Sequence, residues 1–166
     1  MLDLIVRGGQ VVAPWGVGAW DVAVQGEQIV AVAQPGTLTH DVGRVIDATG
    51  KIVVPGGIEP HAHASLPLPY PGMRDQGVRA APPDVISKAC VFGGTTTVVD
   101  FANWRPGIDL PQAIEEKDRL YRGHCYADYT FHGVLDGMGT EGSTPERAVP
   151  LPHEVIDQVP ELIQGG

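Results

Sequence analysis

His61 and His63 are the residues of this chain whose type and spacing point most directly to chemistry. They close the stretch Val54-Pro-Gly-Gly-Ile-Glu-Pro-His-Ala-His63, with only the small Ala62 between them. In a strand, residues i and i+2 project from the same face, so both imidazoles can reach one ion. Neutral imidazole is the commonest protein ligand for zinc and related metals. Two histidines so placed are a weak signal by themselves, because chance puts such pairs in loops. The context supplies the weight: an apolar run, Pro55-Gly-Gly57 to bend the backbone, Pro60 to stiffen the approach, and strand-helix alternation beyond.

Those surroundings must position the pair. Ile52-Val-Val54 is a continuous apolar run, as expected of a strand buried on both faces of a parallel sheet. A long loop from Ala64 to about Ala81 follows, carrying Leu66, Leu68, Tyr70 and Met73. Val85, Ile86, Ala89, Cys90 and Phe92 repeat at helical spacing between Pro82-Pro83 and Gly93-Gly94. Thr95-Thr-Thr-Val-Val99 is β-branched throughout and reads as the next strand. Asp109 and Gln112 have capping-box spacing for a helix reaching about Arg122 and ended by Gly123. A third strand is expected over residues 127–135. Val155, Ile156, Val159, Leu162 and Ile163 form one helical face, with the helix proper starting near Pro160.

Before residue 51 the pattern is different. Leu2, Leu4 and Val6 alternate with Asp3, Ile5 and Arg7, and the Asp21–Gln25 and Gln28–Ala33 runs flank Gly26-Glu27 as a hairpin would. Arg44–Ala48 is a further short strand. The expected fold is therefore α/β: an N-terminal β segment over residues 1–51, then three strand-helix units over 52–166. Three such strands leave an open hydrophobic edge, so the chain is expected to stop inside a domain, before a fourth strand. In barrels of this alternating kind the active site lies at the carboxyl ends of the strands, where His61 and His63 fall.

Composition narrows the function classes. Eleven Lys and Arg against 20 Asp and Glu give a formal charge of −9, with no basic cluster to meet a phosphate backbone, so no nucleic-acid partner is expected. The apolar start, Met1 to Val6, is interrupted by Asp3 and is too short for a signal peptide or a membrane span; a cytoplasmic protein with no membrane partner is expected. Cys90 and Cys125 are too few and too far apart for a disulfide framework and read as reduced thiols.

The residues resemble those of the amidohydrolase superfamily, and within it the hydantoinase/dihydropyrimidinase family. Leu4-Ile-Val-Arg-Gly-Gly9 resembles the family's opening strand and turn, and Val45-Ile-Asp-Ala-Thr-Gly-Lys51 the strand leading into the barrel. Pro55 to His63 resembles its metal signature, with Glu59 where Asp is usual. Phe92-Gly-Gly-Thr-Thr-Thr-Val-Val-Asp-Phe101 resembles the second barrel strand, Tyr129 to His132 the third, and Val159-Pro-Glu-Leu-Ile-Gln-Gly165 the helix before the fourth.

The resemblance implies a small β-sandwich joined to an eight-stranded TIM barrel. It also implies a binuclear centre, usually zinc, held by the two His here, a carbamylated Lys, two further His and an Asp. Of these only His61 and His63 lie in this chain. The implied activity is opening of a small cyclic amide, such as a hydantoin, dihydropyrimidine or cyclic imide, by a metal-bound hydroxide in a homo-oligomeric complete protein. The alternatives are a truncated, inactive fragment or a non-catalytic scaffold relative of the same family.

Other polar residues carry smaller expectations. Asp100, at the end of strand two, is either a partner to a ligand His or a loop-entry carboxylate. Asn103 could reach into the site. Arg74 could meet an acidic substrate group or be a solvated loop charge. His132 is expected to be packed in the core, and His40, His124 and His153 to lie on the surface.

Overall fold

In a computed structural model, residues 2–39, 41–68, 72–73, 76–135, 142, 147 and 149–164 are described. His40, Tyr70 and Arg74, named above, lie outside them. The chain divides into two units, Met1–Pro55 and Gly56–Gly166.

The first unit is built from short β elements. β1 (Leu2–Arg7) pairs antiparallel with β4 (Asp21–Gln25) and parallel with β6 (Val42–Asp47), and β5 (Gln28–Ala33) completes the sheet β5-β4-β1-β6. The expected hairpin is β4–β5, turning at Gly26 with φ +59°, the left-handed region that favours glycine. Its amide donates to the Asp3 carboxylate at 2.6 Å. Alternation in β1 works differently from the expectation, because Ile5 is the fully buried residue. It packs with Ala23 and Leu38, while Leu2, Leu4 and Val6 are half-buried.

A second sheet, β3-β2-β7, joins β2 (Gln10–Ala13), β3 (Gly16–Ala19) and β7 (Ile52–Val53). This corrects the reading of Ile52-Val-Val54. The run is not the strand that carries the histidines, nor is it buried on both faces. It pairs with Gln10 and Val11 in the first unit, and Ile52 is 68% exposed. Apolar content alone could not distinguish a short edge strand from a central one.

In the second unit the histidine-bearing strand is β8 (Gly57–Ala62). It pairs parallel with β9 (Thr95–Asn103), which pairs parallel with β10 (Asp128–Val134). Crossover helices α1 (Pro83–Phe92) and α2 (Leu110–Tyr121) fall between successive strands, as parallel pairing requires. Pro83 opens α1 and Gly93 closes it. Its buried residues are Pro83 and Ser87, with Ile86 and Cys90 half-buried; Val85 and Phe92, expected on the packed face, are exposed.

The capping box on α2 is complete: Gln112 N–H donates to Asp109 at 2.7 Å and Asp109 N–H to the Gln112 side chain at 3.1 Å. Two short helices, α3 (His153–Ile156) and α4 (Val159–Gln164), replace the single expected face. Val155 packs with Trp104 and Leu110, joined by Val159 and Leu162, whereas Ile156 and Ile163 are exposed. Among the described residues no helix is long and apolar enough to cross a membrane.

Candidate metal centre

β9 sorts its side chains by parity. Val98, Asp100 and Ala102 are buried, and Asp100 meets α2. Phe101 points the other way, and three imidazoles surround it. The ring centroids of His61, His63 and His132 lie 4.5, 5.0 and 5.1 Å from that of Phe101. His63 stacks on the ring, while His61 meets it edge-on.

The Nε2 atoms of His61 and His63 are 3.0 Å apart. The Nε2 edges of both rings therefore meet at the carboxyl end of β8, where without an ion one nitrogen donates to the other. Two such nitrogens suit one zinc-type ion, which takes imidazole at about 2.0–2.1 Å from each donor. Among the described residues no further His, Cys, Asp or Glu groups with the pair. A third and fourth ligand must come from elsewhere if the ion is to be held firmly. The backbone under the pair is fixed as well: His61 N–H donates to Glu59 Oε1 at 3.0 Å.

His132 corrects the expectation of a packed core residue. It is exposed, shares the face of the histidine pair, and its Nε2 lies 3.2 Å from the Pro60 carbonyl. A carbonyl only accepts, so that nitrogen carries the proton and donates. What puts it there is the register of β10 on β9, with His132 opposite Phe101, and no local pattern in the sequence sets that register.

Asp100 makes no hydrogen bond to the side chain of His61 or His63. Fully buried, it accepts from Ala64 N–H at 2.8 Å, from the Tyr121 hydroxyl at 2.5 Å and from Phe101 N–H at 2.6 Å, and it pairs with Lys117 Nζ at 2.9 Å. Burial, and then the bond to Asp100, push the Tyr121 phenol far above its ordinary range and keep it a donor. Asn103 is exposed at the end of β9, at the rim of a cleft of about 250 Å³ lined by Ser65, Arg79, Phe101 and Lys117. His124 and His153 are exposed, and Cys90 and Cys125 are free.

Lys117 escaped the sequence reading, although a signal was present. It belongs to the α2 stripe Leu110, Ala113, Lys117 and Tyr121, whose other three members are buried. A cation at that period, opposite a carboxylate on the helix-facing parity of β9, marks a buried ion pair.

No protein-family model matches the chain. A D-hydantoinase of Streptomyces coelicolor is 32% identical over 141 residues, which cover 82% of this chain and 29% of the relative. A solved D-hydantoinase from Bacillus sp. AR9 superposes with a TM-score of 0.78 at 30% identity, covering 98% of this chain and 31% of that one. A dihydropyrimidinase from Brevibacillus agri does so at 0.68 and 35%, covering 82% and 28%. The chain thus spans under a third of the length of these relatives. Matched to them along its sequence and across both of its units, it belongs to the hydantoinase/dihydropyrimidinase-like family of amidohydrolases, as the N-terminal portion.

Proposed function

We propose that the complete protein hydrolyses a small cyclic amide, with His61 and His63 as two of the ligands of its metal centre. The observation that carries this reading is the convergence of the two Nε2 atoms, 3.0 Å apart, at the carboxyl end of a parallel strand. The likeness to D-hydantoinases supports a hydantoin as the leading substrate. The family resemblance of the His-Ala-His stretch implies zinc as the ion, completion of β8–β10 into an eight-stranded barrel, and a sandwich built on the first unit. The same family resemblance implies a homo-oligomer, and the proposed setting is the cytoplasm.

A bound ion of this kind supplies Lewis acidity to a ring carbonyl and acidifies water. The chain's own residues supply the setting. His61 and His63 hold the ion through lone pairs, which requires each ring's remaining proton to sit on Nδ1. The Phe101 ring packs against both imidazoles and limits the directions they can take. His132, with Nε2 engaged by Pro60, leaves Nδ1 as its free acceptor in the neutral ring. Leu66 and Leu68, half-buried in the segment after the pair, offer apolar contact to a ring substituent.

Elemental analysis of the complete protein, with and without His61→Ala and His63→Ala together, tests the metal assignment. Metal content is expected to fall sharply, and undiminished content refutes it. A panel of hydantoins, dihydropyrimidines and cyclic imides tests the reaction; turnover confined to an unrelated ester or phosphate refutes that part. Residues 1–166 expressed alone are expected to show no turnover, since two imidazoles from one strand leave an ion without the ligands that fix its geometry.

A further inference from the structure

The chain leaves β8 after Ala62, between the two histidines, and the backbone groups that follow lose their sheet partners. Several are nevertheless engaged. The His63 carbonyl accepts from Leu66 N–H at 3.5 Å, Ser65 N–H donates to Ala81 at 3.0 Å, and the Ser65 carbonyl accepts from Arg79 at 2.8 Å. Ser65 holds a φ of +57°, a left-handed conformation that costs a non-glycine residue energy and persists only where its surroundings over-determine it.

At the centre of this turn is Ala64, fully buried, and both of its backbone groups are taken by side chains. Asp100 accepts its N–H at 2.8 Å, and Lys117 donates to its carbonyl at 2.8 Å. The two side chains are themselves paired at 2.9 Å, and Tyr121 donates to the same Asp100 oxygen. Burying an ion pair is a poor route to stability, since well-packed apolar residues of like volume often do as well. Apolar residues, however, could not hold the two polar ends of Ala64.

We propose that Asp100 and Lys117 are positioning residues that clamp the Ala64 backbone and so fix the direction of the His63 imidazole toward the metal. The inference rests on the metal assignment made above for its functional meaning, but the clamp has a consequence that no metal enters. The clamp joins β9 and α2 to the backbone that follows His63, so the geometry of the pair is set from outside its own strand. Its members hold the backbone of the residue next to the ligand in the chain rather than the ligand's ring nitrogen.

The test uses the complete protein carrying Asp100→Leu and Lys117→Met together, which removes both charges and the acceptor of the Ala64 N–H and leaves neither charge unpaired. Lys117→Met alone serves as a second variant. Ser87→Ala is the control for lost stability, because it removes buried hydroxyl bonds to Pro83 and Tyr126 elsewhere in the unit. In metal-free protein, hydrogen exchange at the Ala64 amide is expected to quicken by about tenfold in the double variant, as for the loss of roughly one hydrogen bond, with Val98 and Val99 in β9 unchanged. Lys117→Met is expected to give a smaller change in the same direction.

Zinc affinity, read by competition with a chelator, is expected to fall by ~10–100-fold in the double variant and to stay at the parent value in Ser87→Ala. Unaltered Ala64 exchange in both variants overturns the clamp. Quickened exchange with parent zinc affinity overturns its role in positioning His63. Zinc binding that survives His61→Ala and His63→Ala instead overturns the metal assignment, and the exchange result still decides whether the clamp exists.

Discussion

Tyr121→Phe removes one hydroxyl from the centre of the second unit and should give a stability loss that shrinks as pH rises. The ring is fully buried and its hydroxyl donates to Asp100 at 2.5 Å. A hydrogen bond to a charged group contributes about 1.5–3 kcal/mol, and the low end applies because Ala64 N–H and Lys117 still hold the same oxygen. Near pH 7 the variant should therefore be about 1.5 kcal/mol less stable. The pH dependence follows from the raised phenol pKa in the folded state. A group raised on folding contributes stability that is fully present below its unfolded value, about 10, and is lost as pH climbs toward the folded value. At pH 11 the unfolded parent has given up that proton while the folded parent keeps it, which costs the parent about 1.4 kcal/mol. Phenylalanine has no such proton, and every other titrating group is common to both proteins. The gap of about 1.5 kcal/mol should close to nearly nothing at pH 11. Urea unfolding of parent and variant at pH 7 and pH 11 measures it; a gap that stays constant or widens would refute the reasoning.

Gly56→Ala should destabilise by at least ~1–3 kcal/mol, because the new Cβ would lie 2.0 Å from the Thr96 hydroxyl and 2.7 Å from its stiff, branched Cβ. Thermal melting should show Thr96→Ala recovering part of that loss, and no recovery would point away from this clash. Asp109→Ala should cost about 1 kcal/mol by opening the α2 capping box, read as a lower urea midpoint with an unchanged slope.

Local chemistry made much of this protein legible in its sequence. The capping box at Asp109 and Gln112, the Pro83 start and Gly93 end of α1, and the Gly26 hairpin turn depend on neighbours within a few residues, so residue order sufficed. The His-Ala-His spacing likewise fixed that two imidazoles could share a face, because strand geometry has a period of two.

Long-range partners decided the rest. Ile52–Val53 became an edge strand because Gln10 and Val11 were available to pair, a fact that lies forty residues away. His132 joined the face of His61 and His63 because β10 is registered on β9 opposite Phe101, and no local pattern sets that register. Asp100 read as a possible partner of a ligand ring, yet its partners are Ala64, Lys117 and Tyr121, brought together only when α2 crosses over β9. Sequence spacing determined which groups could act together; the pairing of distant strands and the burial of an ion pair determined which of them meet.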